Sequence, residues 1–302
     1  MANEPYYSNE AYHSSEYFRQ QRAMLINGDP RALICFCIDV SQSMDEWWIE
    51  EGGLKRNTGT GFADGHNVRY FDLKDIRSGY AHYKKIDKLN DVLGSLLSDF
   101  KCDSEIRNKV AISIVVYSRF GRVLYDFLDC SELDISACKC NIEQPETAMG
   151  DGIRTALAQI ETMETDLKNV GKDAYTPLLV FMTDGTPTDN PRDEFALVRD
   201  RVSNGDLHIF PLGIGDGADM YRLRDMFPLD KIPPHFIERY KMIKPLDYDA
   251  IFQEIKAHVK KKQSVMVTEE NSKQSAPAID NENVNNNQTG LSINLTELIS
   301  QA

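Results

Sequence analysis

Basic charge is in deficit in this chain: 34 lysines and arginines face 47 acids over 302 residues, a formal net charge of −13. That balance disfavours nucleic acid and anionic membrane as partners. Long hydrophobic runs are absent too. None approaches the roughly 20 apolar residues that span a bilayer. The opening Met1-Ala-Asn-Glu-Pro-Tyr-Tyr7 has neither a basic nor an apolar segment. No secretory leader is expected there, and a cytoplasmic location is. Cysteines number only six and are scattered. Cys138-Lys-Cys140 lacks the C-x-x-C spacing of a zinc module and no second pair follows, so reduced thiols are expected. There is no G-x-x-x-x-G-K-[ST], hence no P-loop. The six histidines (His13, His66, His82, His208, His235 and His258) stand in no recognisable motif, and nothing couples a serine to a base.

What is present is an ordinary globular composition, 41% hydrophobic and 27% charged. The apolar run Ala32-Leu-Ile-Cys-Phe-Cys-Ile38 reads as a central strand of a parallel sheet. It breaks abruptly into Asp39-Val-Ser41-Gln-Ser43-Met44. Open α/β sheets build their sites at the carboxyl ends of such strands. An acid and two hydroxyls spaced two apart can converge on one hard cation that prefers oxygen ligands. Leu178-Leu-Val-Phe-Met-Thr-Asp184-Gly185 is a second buried-strand pattern ending in an acid. Glu146-Thr147-Ala-Met-Gly-Asp151-Gly is a hydroxyl-bearing loop ahead of a helical pattern. Asp151 there reads as a helix N-terminal acid or as a second carboxylate behind the site.

Between them the chain alternates strand and helix patterns. A wide apolar stripe runs Ile86, Leu89, Val92, Leu93, Leu96, Leu97, Phe100. Val110–Tyr117 is the next core strand. Arg122–Leu128 follows across a link too short for a helical crossover, so an antiparallel edge strand is expected. Helices are expected near 153–169, 192–203 and 218–227, strands at Leu207–Gly215 and Tyr240–Lys244, and a last helix from Asp247 through Val259. The expectation is an α/β, doubly wound, mostly parallel sheet with helices on both faces. Three regions are expected: an arm at 1–30, a domain at 31–262 with an insertion at about 45–84, and a disordered asparagine-rich tail at 263–302. The insertion leaves the metal loop directly and carries Asp45, Glu46, Trp47, Trp48, Glu50 and Glu51. Its acids either occupy an open metal position as a lid or are solvated while the tryptophans pack as ordinary structure.

Asp39-x-Ser41-x-Ser43, then Thr147, then Asp184 in a Thr-Asp-Gly turn, resembles the metal-ion-dependent adhesion site of von Willebrand factor A (vWA) domains, over roughly residues 31–262. Met182-Thr-Asp-Gly-Thr-Pro-Thr-Asp189 and Gly213-Ile-Gly-Asp-Gly-Ala-Asp-Met220 are most similar to bacterial TerY-type proteins within that family. The resemblance implies a Rossmann-like vWA fold and a Mg²⁺ or Mn²⁺ ion. Ser41, Ser43 and Thr147 would ligate it through hydroxyls, and Asp39 and Asp184 would act through water. It implies a non-enzymatic adaptor that captures a partner carboxylate. The TerY likeness adds a Ser/Thr kinase and a PP2C-type phosphatase as partners in a bacterial, tellurite-resistance-like stress response.

Two enzyme readings compete. A phosphohydrolase of the haloacid dehalogenase type also places an Asp after a buried strand, but needs a second acid two residues on as general acid. Ser41 occupies that place. Gly213-x-Gly215-x-x-Ala218 fits the loose dinucleotide fingerprint, but falls late in the sheet rather than in an opening βαβ unit.

Overall fold

A run of eight residues with every side chain buried, Ala32–Asp39, forms strand β1 at the centre of a six-stranded sheet. The computed structural model describes residues 15–29, 31–49, 57–63, 66–71, 82–104, 106–172, 175–242, 247–257 and 259–260. In chain order, α1 is Ser15–Asn27, and β1 is followed by β2 (Trp47–Ile49), β3 (Asn57–Ala63), β4 (His66–Phe71) and β5 (His82–Lys84). Then come α2 (Lys85–Cys102), β6 (Val110–Tyr117), β7 (Gly121–Asp129), α3 (Met149–Asn169), β8 (Leu178–Thr183) and α4 (Arg192–Asn204). The chain continues through β9 (His208–Ile214), α5 (Met220–Arg224), α6 (Phe236–Tyr240) and β10 (Lys241–Met242), with a helix α7 at 247–257.

The main sheet runs β10-β9-β8-β1-β6-β7. Every pair in it is parallel except β6 with β7. The α/β architecture expected from the alternating patterns is therefore the one adopted, antiparallel edge strand included. β1, β6 and β8 are buried throughout, as strands covered on both faces must be, and they read as continuous apolar runs for that reason. Edge strand β7 is only partly buried. Helices surround the sheet. The stripe on α2 is buried in full, from Ile86 to Phe100, and α3 buries Ile153, Ala156, Leu157, Ile160, Met163 and Leu167. Within the expected arm, α1 lies against β7, where Arg22 pairs with Asp126 at 3.1 Å and Asp166 at 2.7 Å.

The insertion has a shape its sequence does not announce. β2 and β5 pair antiparallel, Trp47 opposite Lys84 and Ile49 opposite His82, so the chain leaves and re-enters the domain through a closed neck. Beyond it β3 and β4 form a separate antiparallel hairpin. Glu50 and Glu51 lie outside the described residues, as does the tail from 261 onward. Of the last expected strand, Tyr240–Lys244, Lys241 and Met242 pair with β9, while Ile243 and Lys244 lie outside the described residues. Among the described residues no helix is long and apolar enough to cross a membrane.

Candidate metal centre

Parallel register brings three strand ends to one level. Asp39 stands opposite Tyr117 of β6, and Ile38 opposite Met182 of β8, so Asp39 is level with Thr183. Just beyond β1 the Val40 N–H still reaches the Tyr117 carbonyl at 2.8 Å, and from Ser41 onward side chains join in satisfying the backbone. Asp39 is fully buried; its Oδ1 accepts from the Ser41 N–H at 2.9 Å and its Oδ2 from the Thr183 hydroxyl at 2.7 Å. A 3₁₀ turn over Gln42–Asp45 then folds Ser43 back beside Ser41, their hydroxyls 3.0 Å apart. The Ser43 hydroxyl donates to Asp184 Oδ1 at 2.6 Å. Thr147 arrives from the loop before α3. It is held by Thr188, whose hydroxyl accepts from the Thr147 N–H at 3.0 Å and whose N–H donates to the Thr147 carbonyl at 2.9 Å. Gly185 lies between the two halves: a β-carbon there would sit 3.4 Å from Thr147 Oγ1 and 3.9 Å from Ser43 Oγ. Asp39, Ser41, Ser43, Thr147 and Asp184 are thus brought together at the carboxyl edge of the sheet.

The donor set is two carboxylates and three neutral hydroxyls. Among the described residues no group of three or more His, Cys, Asp or Glu side chains is placed to hold an ion. A soft or borderline metal held by thiolate or imidazole does not suit these atoms. A hard divalent cation held by hydroxyls and water does. Glu146, next to Thr147, also carries a buried Oε2 with no donor among the described residues, an oxygen the chain's own atoms leave unsatisfied. Burial pushes the Asp39 carboxyl up to about 7, and the Asp184 charge adds to that, against the pull of Ser41 and Thr183.

Two residues of this site escape a reading of the motif. Thr183 is one, through its bond to Asp39. Lys85, the first residue of α2, is the other. It is 7% exposed, and its ammonium donates to Asp184 Oδ2 at 2.7 Å, Glu46 Oε2 at 3.1 Å and the Ser43 carbonyl at 3.4 Å. Burial opposes its charge, yet Asp184 and Glu46 outweigh that and hold its pKa above the ordinary lysine value. One sequence signal points to it: Lys84-Lys85 opens a helix, where the macrodipole favours acids.

Other candidates lie elsewhere. Asp151 accepts from the Gly121 N–H at 2.7 Å and from Arg154 at 2.8 Å, which makes it a brace for the β6–β7 turn. Asp45 pairs with Lys84 at 2.7 Å and Glu46 with Lys85, so these two acids of the insertion are engaged by lysines. The six cysteines are free. Burial pushes the thiols of Cys35, Cys130, Cys138 and Cys140 up to about 12, far from the thiolate a metal needs. The glycines of the dinucleotide-like stretch serve packing. A β-carbon at Gly213 would collide with the Met220 sulfur, and one at Gly217 would lie 2.8 Å from the Asp184 carbonyl oxygen. One surface cavity, about 620 Å³, is lined by Arg199, Tyr221, Arg222 and Arg224, among others, and by none of the five site residues.

The architecture is a mostly parallel α/β sheet with a cluster of carboxylate and hydroxyl oxygens at its carboxyl edge. The von Willebrand factor type A domain family matches residues 77–239, just over half of the chain, and the chain belongs to that family. The match begins inside the insertion, so Asp39, Ser41 and Ser43 lie upstream of it. No curated protein sequence matches significantly. Among solved structures, proximal thread matrix protein 1 from the mussel byssus is similar at 14% identity and TM-score 0.46, covering 75% of this chain and 45% of that one. A von Willebrand factor type A protein from Catenulispora acidiphila is similar at 14% identity and TM-score 0.46, covering 77% and 43%. The PilB minor pilin from Streptococcus sanguinis is similar at 14% identity and TM-score 0.46, covering 78% and 62%. The chain spans a little under half the length of the first two.

Proposed function

We propose that this chain is a metal-ion-dependent protein-binding adaptor whose ion, Mg²⁺ or Mn²⁺, is held by Asp39, Ser41, Ser43, Thr147 and Asp184. One observation carries the reading: the hydroxyls of Ser41, Ser43 and Thr147 and the carboxylate of Asp184 converge beside the strand end that bears Asp39. Three of those groups are neutral, so a divalent ion among them keeps positive character and attracts a carboxylate from a protein partner. That is recognition and not turnover. When bound, the ion supplies the attraction. The chain supplies the orientation, with Ser41 N–H and Thr183 fixing Asp39, and Thr188 fixing Thr147.

The finer reading is a TerY-like adaptor between a Ser/Thr kinase and a PP2C-type phosphatase in a bacterial stress response, acting in the cytoplasm. It is supported by the Met182–Asp189 and Gly213–Met220 stretches, which pack on one another at the metal edge: the Asp219 N–H reaches the Gly185 carbonyl at 3.4 Å. The test is calorimetry with MgCl₂ and MnCl₂ on wild type and Asp39→Ala, beside capture of a kinase and a phosphatase with and without EDTA. One weak site, lost with Asp39 while the fold survives, is expected. Equal metal binding by Asp39→Ala would sink the metal reading. Capture indifferent to EDTA would sink the carboxylate mechanism.

A further inference from the structure

A buried lysine beside a cation site is a contradiction in charge, and Lys85 is one. The side chain is 9% exposed and the Asp184 carboxylate it touches is 0% exposed, while its second carboxylate partner, Glu46, is 62% exposed. Gly215 packs beside Lys85 at ordinary van der Waals distance. A β-carbon at Gly215 would lie 3.6 Å from Lys85 Cε and 3.9 Å from Nζ, and Gly215 has φ +71°, where a side chain is strained in any case. The backbone N–H of Lys85 is anchored on the Glu46 carbonyl at 3.1 Å. Asp184 is divided between two tasks: Oδ1 accepts from Ser43 at 2.6 Å and Oδ2 from Lys85 at 2.7 Å.

We propose that Lys85 is a resident counter-cation of the metal site, a specificity-determining residue that shares Asp184 with the bound ion. The inference rests on the metal reading above. Two consequences follow from the division of Asp184. First, without metal the ammonium balances one of the two buried carboxylates, so the site holds its shape when empty of an ion. The cost is affinity, because an incoming cation meets a fixed positive charge already on one of its acids. Second, with Oδ2 held by Lys85, Asp184 can turn toward the ion only Oδ1, the oxygen that Ser43 also donates to, whether directly or through a water. Ca²⁺ commonly takes carboxylates through both oxygens, whereas Mg²⁺ takes one and keeps its waters. Lys85 therefore selects the smaller ion.

The experiment is calorimetry with MgCl₂ and CaCl₂ on the full chain as wild type, Lys85→Met and Lys85→Arg, with Asp39→Ala as reference, and thermal melts of each in EDTA and in MgCl₂. Lys85→Met is expected to bind Mg²⁺ more tightly, on the order of tenfold, for loss of a unit charge seated on a shared carboxylate. Its preference for Mg²⁺ over Ca²⁺ is expected to narrow, its melting temperature in EDTA to fall, and the rise on adding metal to grow. Lys85→Arg is expected to keep the low affinity. A Lys85→Met protein that folds only with Mg²⁺ present supports the proposal, since the ion then replaces the missing charge. A protein unfolded with and without metal overturns it, as does unchanged or weaker Mg²⁺ binding, or an unchanged Mg²⁺/Ca²⁺ ratio. Wild type that binds no metal at all removes the underlying reading instead, and Asp39→Ala distinguishes that case from a specific site elsewhere.

Discussion

At Asp39 two demands conflict, and pH separates them. Burial raises its carboxyl from an ordinary 3.8 to about 7, because the folded chain disfavours the charge that an ion requires. The folded chain therefore holds this proton more tightly than the unfolded chain. Below pH 3.8 both forms are protonated and the group contributes no pH dependence. Between 3.8 and about 7 the stability of the metal-free protein falls as pH rises, and above 7 the whole penalty is present. Asp39→Asn, which keeps the shape without the charge, is expected to melt above wild type in EDTA at pH 8, by about 2 kcal/mol, and to match it near pH 4. In wild type the proton and the ion compete, so Mg²⁺ affinity is expected to drop about tenfold per pH unit below 7. Melts and titrations at pH 4, 6 and 8 check both. If Asp39→Asn melts lower than wild type at pH 8, the bonds from Ser41 and Thr183 outweigh burial and the conflict is absent. Asp39-x-Ser41-x-Ser43 and the strand ending at Asp184 were legible because spacing and position after an apolar run are local properties; Thr147, in a loop, joined them only through the resemblance to vWA domains. Thr183 and Lys85 were not, because each acts through a contact with a residue distant in sequence: Thr183 reaches Asp39 and Lys85 reaches Asp184.

Elements divide in the same way. β1, β6 and β8 were legible because strands buried on both faces must be apolar throughout, and α2 because its stripe repeats at helical spacing. β2 and β5 were not: each is three residues long, and their pairing spans the whole insertion. Such a neck has a consequence for engineering. Lys84–Asp45, Lys85–Glu46 and the β2–β5 ladder close the base of the insertion without help from its distal part. Closure entropy changes by only about 0.6 kcal/mol per doubling of loop length. Replacing residues 50–81 with a Gly/Ser linker of about six residues is therefore expected to leave the domain folded and its Mg²⁺ affinity unchanged. Replacing 46–82 instead removes Glu46 and β2, and is expected to lower the melting temperature by several degrees. Thermal melts and calorimetry on the two variants make the comparison. If the shorter replacement unfolds the domain, the distal insertion belongs to the core. If it folds, binds metal and loses partner capture, the hairpin of β3 and β4 is part of the recognition surface.

For the molecule as a whole, the question is whether an acidic α/β domain with a candidate ion site at its sheet edge holds a partner or turns over a substrate. Both classes place an Asp at the end of a buried strand, so the fold alone does not decide. The group two residues later does. A phosphoaspartate hydrolase needs an acid there to protonate the leaving oxygen. Here the position is Ser41, fully buried and hydrogen-bonded to Ser43; its hydroxyl is far too weak an acid to protonate a leaving group. Lys85, the cation at the site, is engaged by Asp184 and Glu46 and stays charged, which suits neither a general acid nor a base at pH 7. A net charge of −13 adds a long-range term that repels phosphate esters from the surface. The full chain with saturating MgCl₂ or MnCl₂ is therefore expected to hydrolyse para-nitrophenyl phosphate and acetyl phosphate no faster than buffer. Glu and Asp substitutions at Ser41 are expected to weaken metal binding without creating turnover. Hydrolysis by wild type that disappears in Asp39→Ala would replace the adaptor with an enzyme. Hydrolysis that survives Asp39→Ala would arise outside this site.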